Sequence, residues 1–243
     1  MTDPAFARSA RLIGQPAMDR IAAAHVWVVG LGGVGGQVVE ALARTGVGRL
    51  TLVDGDIVDI TNLNRQVLYT RAQVGLPKAS CARERVLSIA PDCAVVAQNA
   101  FYGAGSPLAA KLTAEPPDFA VDAIDDIPAK IDLICRCQGA GIPIISAMGA
   151  GNKLDPMGFA VMDLFQTSYD PLARVLRREL KKRGVSRLTV AASREIPQTV
   201  PADEQGVRAP ASIAFVPPAM GLLIAGHVLK TLGGIEKGGS HGR

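Results

Sequence analysis

The stretch VWVVGLGGVGGQVVEALARTG, residues 26–46, constrains the fold more than any other part of this chain. Its apolar run reads as a strand buried on both faces, its glycines as a tight turn, and the residues behind them as a helix. A strand, then G-x-G-x-x-G, then a helix is the nucleotide-binding unit of a parallel sheet. Gly30, Gly32 and Gly35 fill that fingerprint, with Gly33 and Gly36 added. Glycine permits the turn and lets backbone N–H groups approach a phosphate. The helix N-terminus behind the loop favours negative charge. Asp54 ends the next expected strand, RLTLVD, where a carboxylate can accept hydrogen bonds from ribose hydroxyls. These residues argue for a nucleotide site without saying which nucleotide.

The rest of the first half continues the pattern. Strands are expected at HVWVVG, RLTLVD, CAVVAQ, DFAVDAI and PIISAM, and helices over 6–23, 33–45, 78–90, 106–114 and 127–140. Strands alternating with helices predict an α/β fold: a Rossmann-like, doubly wound, mostly parallel sheet with helices on both faces. The second half adds strands at GFAVMDL and SRLTVAAS, a basic helix at YDPLARVLRRELKKRG, and a proline-rich loop over 196–212. It ends in a helix at PPAMGLLIAGHVLKTL, as a C-terminal extension completing the lobe. A single domain over 1–232 is expected, with a nucleotide-binding half over about 20–150 and a substrate-side half over about 151–232. The tail 233–243 is expected to be disordered.

Composition narrows the function. Aromatic residues make up 4% of the chain, which disfavours a platform for stacking many bases. A formal charge of +4 tolerates an anionic partner without demanding one. The four cysteines (Cys81, Cys93, Cys135 and Cys137) form no C-x-x-C, so neither structural zinc nor a disulfide framework is expected. Cys135 and Cys137 sit two apart on an expected helix and read as packing rather than chemistry. The N-terminus lacks the apolar core of a signal peptide, and the apolar run Ala219 to Leu232 is interrupted by His227 and Lys230. A soluble, cytoplasmic protein without membrane attachment is expected.

The residues after Asp54 separate the kinds of nucleotide chemistry. Asp56, Asn62, Arg65, Gln66 and Lys78 follow in quick succession. Arginine and lysine facing nucleotide phosphates suit phosphate transfer better than hydride transfer. Further on, VDAIDDIPAK puts Asp122 at a strand end and Asp125 just past it, where a carboxylate can hold Mg²⁺ on phosphate oxygens. From Arg11 to Gly151, the set G-x-G-G-x-G, D-x-D, N-x-x-R-Q, G-x-x-K and D-x-x-D resembles the ubiquitin-activating-enzyme-like adenylyltransferases, which include ThiF and MoeB. The resemblance implies ATP with Mg²⁺, Asp54 on the ribose, Asn62, Arg65 and Lys78 around the phosphates, and Asp125 on the metal. It also implies a homodimer in which Arg11 reaches into the partner's site.

The thiamine and molybdopterin members of that superfamily carry two C-x-x-C zinc pairs, which this chain lacks. Its second half, with GAGNKLDP, DPLARVLRRELKKRGV, SREIP and SIAFVPPAMGLLIAGHVLKTL, resembles the tRNA threonylcarbamoyladenosine dehydratase family. Ser193, Glu195 and Pro197 keep that family's pattern, whereas the loop after them departs from it. The resemblance implies an enzyme that adenylates the carboxylate of threonylcarbamoyladenosine in tRNA and drives its cyclisation, releasing pyrophosphate and AMP. It implies tRNA rather than DNA as partner and admits a sulfur-relay protein. Arg177, Arg178, Lys181, Lys182 and Arg183 would then meet RNA phosphates, against the default reading of a solvated helix face. Three other readings stay open. One is an adenylyltransferase for a ubiquitin-like or sulfur-carrier protein. Another is an NAD-dependent oxidoreductase, which the Asn62, Arg65 and Lys78 cluster disfavours. The third is a non-catalytic binding module that keeps a nucleotide.

Overall fold

The computed structural model describes residues 3–202 and 210–235. In chain order, its elements are α1 (Ala7–Ile13), α2 (Gln15–Ala23), β1 (His25–Val29), α3 (Gly35–Arg44), β2 (Arg49–Val53), α4 (Lys78–Ile89), β3 (Ala94–Gln98), α5 (Pro107–Ala114), β4 (Phe119–Asp122), α6 (Ile127–Gly139), β5 (Ile144–Ala147), β6 (Phe159–Asp163), α7 (Pro171–Lys182), β7 (Thr189–Ser193) and α8 (Val216–Leu232). The expected single helix over 6–23 is two helices. Gly14 takes φ +83°, in the left-handed region that ends α1, and Pro16 restarts the chain as a first-turn proline of α2.

The sheet order is β3-β2-β1-β4-β5-β7-β6, parallel except for β6, which runs antiparallel to β7. Successive residues of β1 serve opposite cores because a strand's side chains alternate between faces. Val26 and Val28 pack with Leu42 of α3, Val86 of α4 and Ile224 of α8, while Trp27 and Val29 pack with Leu112 of α5, Leu133 of α6 and Leu176 of α7. Burying each such side chain contributes about 1.5–3 kcal/mol. The apolar α8 is therefore core, with Met220, Ile224 and Val228 fully buried. No helix among the described residues is long and apolar enough to cross a membrane.

The chain winds from β1 outward through β2 and β3, then returns to lay β4 and β5 on the other side. The strand order thus reverses between β1 and β4, and their carboxyl ends flank a crevice. In the tail, Gly233 and Ile235 close α8 through N–H bonds to Leu229 O (2.8 Å) and Lys230 O (2.9 Å), and Arg20 donates to Gly233 O. Residues 236–243 of the tail expected to be disordered lie outside the described residues, as do 203–209 of the proline-rich loop. The rest of that loop has no regular secondary structure.

Candidate active site

A cavity of about 790 Å³ opens where β1, β2 and β4 end. The glycine loop forms its floor. Gly30 takes φ +90°, and a Cβ there would overlap the carbonyl of Ala123; a Cβ on Gly35 would overlap the carbonyl of Gly30. Only glycine lets the loop lie this tightly between β1 and β4 and bring its amides to the cavity. Gly32 and Gly33 line the cavity, ahead of the N-terminus of α3. Tyr69 braces the loop from beneath, its hydroxyl donating to Leu31 O at 2.9 Å.

Asp54 follows β2. Its Oδ2 accepts the Leu31 N–H (2.7 Å) and its Oδ1 the Asp56 N–H (2.8 Å), so the carboxylate ties the glycine loop to the segment that follows. Burial raises its pKa, against the pull of those two bonds and of Lys78. Each oxygen keeps a lone pair for a ribose hydroxyl. Lys78, the first residue of α4, is buried, and its Nζ meets Asp56 Oδ2 at 2.8 Å. Asn62 is buried in the turn Ile60–Asn62, with Oδ1 accepting the Asp59 N–H. Arg65 points one nitrogen at Thr61 O (3.0 Å) and Asn64 Oδ1 (2.8 Å). Gln66 is buried, and its Oε1 finds no hydrogen-bond partner among the described residues. Asp54, Asp56, Asn62, Arg65, Gln66, Lys78 and Asp125 all line this one cavity, although they come from separate parts of the sequence.

The two aspartates after β4 have different fates. Asp122 turns inward: its Oδ2 meets Lys130 Nζ at 2.9 Å and accepts the Ser146 hydroxyl at 2.5 Å, all three residues being fully buried. It is therefore a structural anchor and not a metal-holding carboxylate. Asp125 is exposed at the cavity wall, and no hydrogen bond among the described residues engages its carboxylate. Among the described residues, no three His, Cys, Asp or Glu side chains gather as a metal cage. Asp125 shares the cavity with Asp54, Asp56 and Asp126, and Mg²⁺ at nucleotide sites is commonly held by one or two carboxylates plus substrate phosphates.

Arg11 stands exposed in the last turn of α1 and does not line the cavity. The basic residues of α7 divide. Arg177 is half-buried, and its guanidinium donates to the carbonyl and hydroxyl of Thr167, so it fastens α7 and is not a free surface charge. Arg178, Lys182 and Arg183 gather on Glu179, holding its carboxyl down at about 2, and Lys181 is exposed. Sequence reasoning missed Phe101 and Tyr102, which line the cavity just past β3, and Pro210 and Ser212, which line it from the distant loop. The rule that ligands meet the carboxyl ends of parallel strands could have found Phe101; nothing local marks Pro210.

The sequence matches the model of the ThiF family over residues 6–243. It is 40% identical to the tRNA threonylcarbamoyladenosine dehydratase of Bacillus subtilis (strain 168), over 93% of this chain and 94% of that protein. The crystal structure of the Escherichia coli tRNA N6-threonylcarbamoyladenosine dehydratase in complex with AMP superposes with a TM-score of 0.86 at 36% identity, covering 93% of each chain. The Escherichia coli (strain K12) molybdopterin-synthase adenylyltransferase is 39% identical over 54% of this chain and 51% of its own length.

Proposed function

We propose, from the premise that the chain belongs to the ThiF family, that it is an ATP-dependent tRNA threonylcarbamoyladenosine dehydratase. The likeness to dehydratases runs through both halves of the chain, whereas that to the molybdopterin-synthase adenylyltransferase covers little more than one. That observation carries the reading. In it, residues 1–232 form one adenylating unit, cytoplasmic and homodimeric, with Arg11 supplied by the partner subunit and a sulfur-relay protein as an additional partner.

ATP lies in the cavity with its ribose on Asp54 and its phosphates over the glycine loop. A carboxylate oxygen of the modified nucleoside attacks the α-phosphorus, the bond to the bridging oxygen breaks, and pyrophosphate leaves. Lys78 and Arg65 stabilise the charge that develops on the phosphate oxygens. Asp125 would hold Mg²⁺, which when bound supplies further charge neutralisation there. A nitrogen of the same modification then attacks the acyl-adenylate carbonyl, loses its proton and expels AMP, so the ring closes with net loss of water. Proximity lowers the barrier of this intramolecular step without an enzyme thiol. The thiols fit that route poorly in any case, since burial pushes Cys93 up to about 11 and Cys137 up to about 12.

Lys78→Met is expected to slow pyrophosphate release about a hundredfold, the effect of removing one preorganised charge donor. Its partner Asp56 is half exposed and stays solvated, so the fold persists. Stopped-time assays beside a thermal melt check both. On α7, Arg178→Glu combined with Lys181→Glu is expected to weaken tRNA binding about tenfold and flatten its salt dependence by about one unit of slope per lost phosphate contact. ATP affinity in that variant should be unchanged.

The direct test is nucleoside mass analysis after incubating the protein with ATP, Mg²⁺ and tRNA bearing uncyclised threonylcarbamoyladenosine. Loss of one water from that nucleoside, matched by AMP, is the expected result. AMP formation without the mass change would favour a carrier-protein adenylyltransferase, and the absence of both AMP and the mass change would overturn the enzymatic reading.

A further inference from the structure

The cavity wall formed by Pro210 and Ser212 belongs to the substrate-side half of the chain, yet a run of hydrogen bonds connects it to the phosphate-binding arginine. Asn152 starts the run. Its N–H donates to Ala211 O (2.8 Å), its Oδ1 accepts the Ala211 N–H (2.7 Å), and its carbonyl accepts the Gln198 N–H (2.7 Å). The residue adopts φ +58°, which asparagine tolerates better than most residues. Next to Ala211, Ser212 O accepts Asn64 Nδ2 at 3.1 Å. Asn64 Oδ1 in turn accepts Arg65 Nη1 at 2.8 Å. The side chain of Asn64 therefore has both ends engaged, one on the wall and one on the arginine.

We propose that Asn64 is a positioning residue that, through residues 210–212 clamped by Asn152, ties the setting of Arg65 to the substrate-side wall. A free arginine has many rotamers, and fixing its guanidinium before a phosphate arrives removes part of the ordering cost of binding. An asparagine amide whose nitrogen is already held presents its oxygen in one orientation. Displacing the wall releases that amide and leaves Arg65 Nη1 held by Thr61 O alone, so nucleotide affinity responds to a wall contact 148 residues from Asn64 in sequence.

This inference rests on the reading of the cavity as an ATP site with Arg65 on the phosphates. The test uses Asn152→Gly. Glycine adopts φ +58° freely and keeps both backbone bonds, so only the Oδ1 contact to Ala211 is lost. ATP with Mg²⁺ is titrated calorimetrically, without tRNA, into the wild type, Asn152→Gly, Arg65→Ala and the double variant. Asn64→Leu, neutral and exposed, serves as a second break in the same run. Asn152→Gly and Asn64→Leu are each expected to weaken ATP about threefold to tenfold, the range of one hydrogen-bonded contact. In the Arg65→Ala background, Asn152→Gly is expected to have no further effect. The inference is overturned if Asn152→Gly binds ATP like the wild type, or if it loses the same factor with Arg65 already removed. Absence of ATP binding by the wild type would instead defeat the nucleotide reading, and this inference with it.

Discussion

Asp125→Ala folds like the parent, keeps its affinity for tRNA, and releases pyrophosphate at no more than about a thousandth of the parental rate, in keeping with the several kcal/mol that a metal contributes to charge stabilisation. The fold survives because Asp125 holds nothing else in place. Its neighbours do that: Asp126 caps α6 through the Ala129 N–H at 2.8 Å, and Asp122 anchors the strand end below. In the proposed reading the chemistry fails because Asp125 is the unengaged carboxylate in the wall of the cavity that would take the phosphates. Extra Mg²⁺ should not rescue the alanine variant, whereas Asp125→Glu, which keeps the charge one methylene further out, should retain partial activity. Asp126→Ala is the control, expected to lose about 1 kcal/mol of stability with its helix cap and little rate. Pyrophosphate release near the parental rate in Asp125→Ala would remove the metal assignment.

Much of this arrangement was legible in the sequence because it rests on short-range rules. The strand, glycine turn and helix of residues 25–44 follow from apolar patterning and from glycine's freedom at φ +90°, and that one unit fixes where the crevice must lie. Asp54, Lys78 and Arg65 could be named because each sits in a loop at a strand's carboxyl end or starts the next helix. What stayed hidden depends on distant partners. Lys130 lies in a helix whose other charges, Asp132 and Arg136, pair with each other at a partly exposed edge, and nothing in its sequence neighbourhood announces a fully buried ammonium. Asp122 and Asp125 look alike in the run VDAIDDIPAK. The pleat of β4 sends the first into the core, and the end of the strand leaves the second in the cavity wall. Arg177 reads as one more charge on a basic helix until Thr167 is brought beneath it. Gly14 is the converse case: a break was local and visible, yet the helical pattern on either side masked it.

Lys130→Met is the change expected to cost the most stability, about 3–5 kcal/mol, the range for removing one partner of a buried ion pair. Lys130 Nζ lies 2.9 Å from Asp122 Oδ2 and donates to Ile124 O at 2.9 Å. Methionine matches its length and leaves little void, so the loss comes from charge and hydrogen bonding rather than packing. Asp122 would keep the Ser146 hydroxyl and the Ile124 N–H but would face the apolar interior without its counter-charge. Urea unfolding of the variant should show an earlier midpoint at an unchanged slope. Adding Asp122→Asn should recover a large part of the deficit, since the uncompensated charge is then gone; a double variant no more stable than Lys130→Met would refute the ion-pair account. The same change reaches the site by a short path. Lys130 fixes the carbonyl of Ile124, and the adjoining Ala123 carbonyl is the group against which Gly30 is packed. A loosened 123–126 loop would disturb both the glycine floor and Asp125. Once the variant is refolded and its native fraction measured, it should still bind ATP more weakly per folded molecule than the wild type.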